Sequence, residues 1–180
     1  MREIVSLGTN AKVFMRVIDK NGDVSEDLRL HSSTDHKNKF ERGRMDEFDI
    51  GTNKELNGID QIELWTDGKG LSSGWFPKYV EVTDNKTSDV ACFPVNQYLN
   101  QKNGGIEGNP LRLKRITGDR PCQELIEERS ENDHESQQQK AIASNMKTVD
   151  SINKYKSSFS VITKTGHTGF LGLGAAGTNA

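Results

Sequence analysis

Gln61-Ile62-Glu63-Leu64-Trp65-Thr66-Asp67-Gly68-Lys69-Gly70-Leu71-Ser72-Ser73-Gly74-Trp75-Phe76-Pro77-Lys78-Tyr79-Val80-Glu81-Val82 is the stretch on which the fold turns. Ile62 and Leu64 flank Glu63, and Val80 and Val82 flank Glu81. Apolar and charged residues therefore alternate with the period of a strand that keeps one face wet. Between the two runs lies a glycine-rich loop opened by Asp67-Gly68, a pair suited to tight turns. Such a loop between two alternating runs argues for antiparallel pairing.

The same pattern extends in both directions. Short apolar runs cover Val13 to Ile18, Val24 to Leu30, Met45 to Ile50, Gln61 to Trp65, Tyr79 to Val82, Val90 to Phe93 and Leu111 to Ile116. Asn21-Gly22, Asn57-Gly58, Asn85 and Gly104-Gly105 punctuate them, residues that accept positive φ or close tight turns. Phe48 and Ile50 flank Asp49 in the same alternation. Seven short strands of this kind predict an all-β antiparallel sandwich, with Phe40, Phe48, Trp65 and Phe93 in its core.

Past Thr117 the composition changes. Residues 124–140 are almost entirely Glu, Arg, Gln, Ser, Asn, Asp and His, too polar to bury a core, so a disordered charged linker is expected. Lys140 to Ile152 has rough helical spacing and predicts at most a solvated, fraying helix. A strand signal returns over Phe159 to Thr165. Near the end, Gly177-Thr178-Asn179-Ala180 repeats Gly8-Thr9-Asn10-Ala11.

The bulk properties narrow the function. The 180 residues are 32% hydrophobic and 28% charged, with a mean hydropathy of −0.74, which suits one domain with a polar tail better than a chain packed throughout. A net charge of −2 supplies no basic field for a nucleic-acid backbone, so no nucleic-acid partner is expected. Cys92 and Cys122 have no metal-ligand spacing and are expected to be free thiols in a reducing compartment. Met1 to Thr9 lacks a signal-peptide pattern and no run is long enough to span a bilayer. These features predict a cytoplasmic chain.

Gly8-Thr9-Asn10-Ala11-Lys12-Val13-Phe14, Phe40-Glu41-Arg42-Gly43-Arg44-Met45-Asp46-Glu47-Phe48 and Asp67 to Phe76 are followed by Val80-Glu81-Val82 and Phe93-Pro94-Val95-Asn96-Gln97-Tyr98-Leu99. In order and spacing these segments resemble a PLAT (lipoxygenase-homology) domain over about residues 7–117, most like one repeat of a tandem-PLAT protein. The resemblance implies an eight-stranded sandwich of two four-stranded sheets that docks onto membranes or membrane-associated proteins, in some members with calcium. Phe159 to Gly166, ending in the Gly-Thr-Asn-Ala repeat, looks like the opening strand and first loop of a following PLAT domain, over 158–180, after a linker at 118–157. His167 and Asn10 stand where the family often has Asp.

The resemblance also places the Asp67 loop near Gly8 to Asn10 at one end of the sandwich. Gly8, Asn10, Asp67 and Gly68 are therefore the candidate calcium site, although one carboxylate is few for that ion, and Asp67 capping a turn explains it equally. Lys69, Leu71, Trp75, Phe76 and Lys78 are the candidate membrane or partner contacts: apolar side chains for the bilayer interface, cations for anionic headgroups. Leu71 is the expected exposed tip, and Trp75 has a rival place under the sandwich rim. Lys37, Lys39, Arg42 and Arg44 form a basic run that suits either solvent or an acidic partner.

The histidines His31, His36, His134 and His167 are scattered, and no nucleophile-base or paired-carboxylate arrangement is visible. No enzyme is predicted. The regulatory domain of a lipoxygenase-type enzyme is the alternative reading. The first sandwich lacks its opening strand, and the strand at Phe159 to Thr165 is expected to fold back into that place. The flexible linker of about 40 residues spans roughly 35 Å, enough to reach. The same place in a second molecule competes for the strand and would give a swapped dimer.

Overall fold

The computed structural model describes residues 7–31, 39–71, 73–116 and 155–166. The helix and charged linker expected between 118 and 154, and the Gly177–Ala180 repeat, lie outside the described residues. Eight strands follow in order: β1 (Val13–Ile18), β2 (Leu28–Arg29), β3 (Met45–Thr52), β4 (Gln61–Thr66), β5 (Pro77–Asp84), β6 (Val90–Pro94), β7 (Leu111–Lys114) and β8 (Ser157–Thr165). They build two four-stranded antiparallel sheets, ordered β2-β1-β4-β7 and β3-β8-β5-β6. The all-β sandwich with a C-terminal strand, expected from the alternation, is the architecture observed.

Period-2 patterning decides what faces inward. Val13, Met15 and Val17 from β1 and Ile62 and Leu64 from β4 meet Phe48 from β3, Val80 and Val82 from β5, Ala91 and Phe93 from β6 and Phe159 and Val161 from β8 in one continuous core. Burying each large apolar side chain contributes about 1.5–3 kcal/mol, which is what holds the two sheets together. Buried polar groups are matched locally. Ser25 Oγ accepts the Val17 N–H at 2.9 Å, and both oxygens of Asp19 take backbone N–H groups from the 20s and 50s turns.

Several expectations need correction. The run Val24 to Leu30 forms β2 only at Leu28–Arg29, with Val24 in an isolated bridge to Ile18. The reason is the Ser25 hydroxyl, which takes a ladder donor of β1 and so replaces a strand-to-strand bond with a side-chain one. Trp65 is buried, but it belongs to the outer face of its sheet, where it stacks on Phe14 at 5.7 Å and lies under the Arg16 guanidinium at 4.5 Å. The face of β5 expected to be wet is not: Glu81 is buried, and Tyr79, Cys92 and Ile162 form a satellite apolar cluster there with Met45. Cys92 is disulfide-bonded rather than a free thiol; Cys122, the other cysteine of the sequence, lies outside the described residues. Pairing depends on how closely two Cβ atoms approach in the fold, which the spacing along a chain does not show.

Candidate functional site

The loop after β4 is tied to the segment before β1 by a reciprocal pair: the Asp67 N–H donates to the Lys12 carbonyl at 3.0 Å and the Lys12 N–H donates to Asp67 Oδ1 at 3.1 Å. The same Oδ1 accepts the Lys69 N–H at 3.1 Å, so Asp67 caps the turn. Gly70 has φ +104°, and a Cβ there would sit 2.5 Å from Asn10 Oδ1. Asn10 is thereby packed over the loop, and only glycine serves at position 70. Beyond it Leu71 projects fully into solvent, at 102% exposure.

A second tie closes the base of this end. A Cβ on Gly8 would approach the Phe40 carbonyl oxygen to 2.7 Å, so that glycine permits two backbones to touch. The Thr9 N–H donates to that carbonyl at 3.2 Å, and Thr9 Oγ1 donates to the Ser73 carbonyl at 3.2 Å. Phe40 itself has φ +61°, a strained choice for an aromatic residue. It is held by the buried Asp46, whose Oδ2 accepts the Phe40 N–H at 2.8 Å, and by ring contacts with Phe48 at 5.4 Å and Trp75 at 5.0 Å.

Between these ties opens a cleft of about 240 Å³ whose rim carries Lys12, Arg29 and Lys39 against one carboxylate, Glu41, with Asn10 and Phe40 in its wall. Lys12 and Arg29 are exposed and Lys39 is half-buried. Charge on this rim is thus predominantly positive although the chain as a whole is slightly acidic.

The structure brings Gly8, Asn10, Asp67 and Gly68 to one end, as the resemblance implied. Their side chains supply few of the oxygens that a calcium cage needs. The ion wants six to eight oxygens with carboxylates among them, whereas the loop offers one carboxylate whose Oδ1 already accepts two N–H groups. Among the described residues no three His, Cys, Asp or Glu side chains are grouped to hold a metal.

Of the candidate contacts, Lys69 and Leu71 lie on the exposed loop and Phe76 is half-buried. Trp75 is corrected from contact to core. It is fully buried, its Nε1 donates to Thr165 Oγ1 at 2.9 Å, and its ring packs on Phe40. The indole has apolar area to bury and one donor to satisfy, and both needs are met inside. Lys78 is half-buried within β5, at a register irregularity, away from the loop tip. Sequence reading missed Lys12 and Arg29. They are 17 positions apart, and only the edge pairing of β2 on β1 brings them to one rim.

Comparison with known proteins places this geometry. The PLAT/LH2 domain family matches residues 3–109. Lipoxygenase homology domain-containing protein 1 of Homo sapiens is 33% identical over 125 residues, 69% of this chain, and its Mus musculus counterpart 34% identical over 102 residues, 57% of this chain. Polycystin-1 of Homo sapiens is 38% identical over 79 residues, 42% of this chain. The aligned stretches span 6%, 5% and 2% of those much longer proteins. With the family match covering more than half of the 180 residues and the two-sheet sandwich in place, the chain belongs to the PLAT/LH2 domain family.

Proposed function

We propose that this chain is a non-catalytic docking module whose working end is the Asp67 to Leu71 loop together with the cationic cleft, and that it seats on an anionic membrane surface or on a protein held there. The observation that carries the reading is the juxtaposition of a fully exposed Leu71 with the Lys12, Arg29 and Lys39 rim. An apolar tip gains by entering the interfacial region of a bilayer, and each cation near an anionic surface adds about 1 kcal/mol. Asn10, packed over Gly70 and lining the cleft, couples the two halves. Lys69 adds a further cation beside the tip.

Nothing at this end equips the chain for catalysis: no activated nucleophile, and no histidine beside a carboxylate among the described residues. Its place is peripheral to a membrane, as one module of a longer scaffold, and the disulfide at Cys92 suits an oxidising compartment rather than the cytoskeleton beneath that membrane.

The test is sedimentation with liposomes. Vesicles containing phosphatidylserine are expected to carry the protein down, and neutral phosphatidylcholine vesicles to leave it in solution. Leu71→Asp, and separately Arg29→Glu combined with Lys39→Glu, are each expected to weaken binding by at least about tenfold, without changing thermal stability. Equal binding of all variants would remove this end of the molecule from the function.

A further inference from the structure

β8 lies in the middle of its sheet. It pairs with β3 from Met45↔Lys164 to Thr52↔Ser157 and with β5 from Pro77↔Thr165 to Asp84↔Phe159. Phe159 and Val161 are fully buried, and Thr165 accepts the Trp75 indole N–H. Without β8 both neighbours would present a row of unpaired backbone groups, and the core would lose part of one wall.

The chain enters this position from far away. Residues 117–154 separate the described end of the β7 segment from Tyr155, and the family match stops at 109. The backbone bonds at the far end of β8 show where the strand belongs. The Gly166 N–H donates to the Phe76 carbonyl at 2.9 Å, while the Phe76 N–H donates to the Leu7 carbonyl at 2.9 Å. In an antiparallel ladder those two bonds normally go to a single residue. On the other side Thr165 N–H donates to Arg44 and Gly43 N–H to Gly166, after which the Thr9 N–H donates to Phe40. Leu7 to Thr9 thus takes up the lane where Gly166 leaves it, and runs in the same direction. The sequence agrees: Gly177 to Ala180, downstream of β8, repeats Gly8 to Ala11, the segment that takes over the lane.

By this geometry β8 fills the lane that Leu7 to Thr9 continues, and it reaches that lane by folding back onto strands that precede it in the chain. We propose that β8 is an exchangeable strand, and that the slot between β3 and β5 accepts the same strand from a second copy of this chain, linking copies through their sheets. A second copy brings identical side chains in identical register, so every contact of the slot is preserved and only the connection changes. The choice between the chain's own strand and another's is set by the tether against the concentration of copies. A tether of this length corresponds to an effective concentration of order mM, so exchange gains as concentration approaches that range. Because β8 is buried on both flanks, exchange takes place when copies fold together, and folded copies hold their partner.

Complementation tests this on the full chain. Val161→Asp spoils the strand and leaves the slot intact, whereas Phe48→Asp spoils the slot and leaves the strand. Each variant alone is expected to lack a cooperative thermal transition. Refolded together, they should give a heterodimer with about half the wild-type transition amplitude, one sandwich per two chains. A mixture that behaves as the sum of its parts would overturn the proposal. Should either variant precipitate, wild-type protein labelled with ¹⁵N is refolded with unlabelled protein at about 1 mM, the tether's own effective concentration, and weighed by native mass spectrometry. Mixed dimers that survive a reducing agent are expected. Absence of mixed dimers, dimers that vanish on reduction, or equally abundant mixed dimers after blending separately folded samples would each count against it.

Discussion

Asp19 shows how one buried carboxylate fixes a loop. It is 1% exposed; Oδ1 accepts the N–H groups of Asn21 and Asp23 at 2.9 and 2.8 Å, and Oδ2 that of Asn57 at 3.0 Å. Burial pushes its pKa up, but the N–H groups of Asn57, Asp23, Asn21 and Gly22 together outweigh it and hold the carboxyl below its ordinary value. An amide has one acceptor where this site needs two, so Asp19→Asn is expected to cost about 1–3 kcal/mol by leaving N–H groups facing a donor. The sign with pH follows from the lowered pKa: the carboxylate's contribution is present above the unfolded value and is lost as pH falls through the folded one. Urea midpoints measured from about pH 5 to about pH 3 should therefore fall more steeply for wild type than for Asp19→Asn. Asp89, held below its ordinary value chiefly by its hydrogen bonds to Arg115, adds to the slope in both proteins.

The strands differ in how far they could be read. β3, β4 and β5 announce themselves because apolar and polar residues alternate there, and β1 as a short apolar run, although β5 buries Glu81 as well. β2 was overread, since three apolar residues among seven, Val24, Leu28 and Leu30, cannot reveal that a serine hydroxyl will take the place of a ladder partner. β8 was legible as a strand, from Phe159, Val161 and Ile162, but its two neighbours were set by pairings more than a hundred residues away along β3, which no local pattern encodes. Its inner face makes a sharp contrast testable. Phe159, fully buried in the core, should cost about 3–5 kcal/mol as Phe159→Ala. Thr163, buried on the same face with no partner for its hydroxyl, should be neutral or stabilised as Thr163→Val, because the replaced group gains nothing from hydrogen bonding there. Thermal unfolding of the two variants side by side decides it, and similar losses in both would mean that the inner face of β8 is not the wall described.

For the whole molecule, the proposed docking end was half legible. Asp67, Leu71 and Lys69 stood out in a glycine-rich loop, whereas Lys12 and Arg29 join them only through the sheet edge, and Trp75 drew notice because an aromatic beside a loop looks alike whether it points out or in. The donor count at the loop sets an expectation for calcium: calorimetric titration should find a Kd no tighter than about 10⁻⁴ M, and a micromolar value abolished by Asp67→Ala would show that carbonyls complete a cage the side chains do not. The central place of β8 also bears on biosynthesis. At about 5–20 residues per second, on the order of ten seconds pass on the ribosome between the emergence of Asp84 and that of Thr165. Through that interval β3 and β5 have been made and lack the strand that parts them, so nascent chains crowded on one messenger meet with open sheet edges. The order of synthesis itself thereby offers the slot to a neighbour's strand before the chain's own arrives.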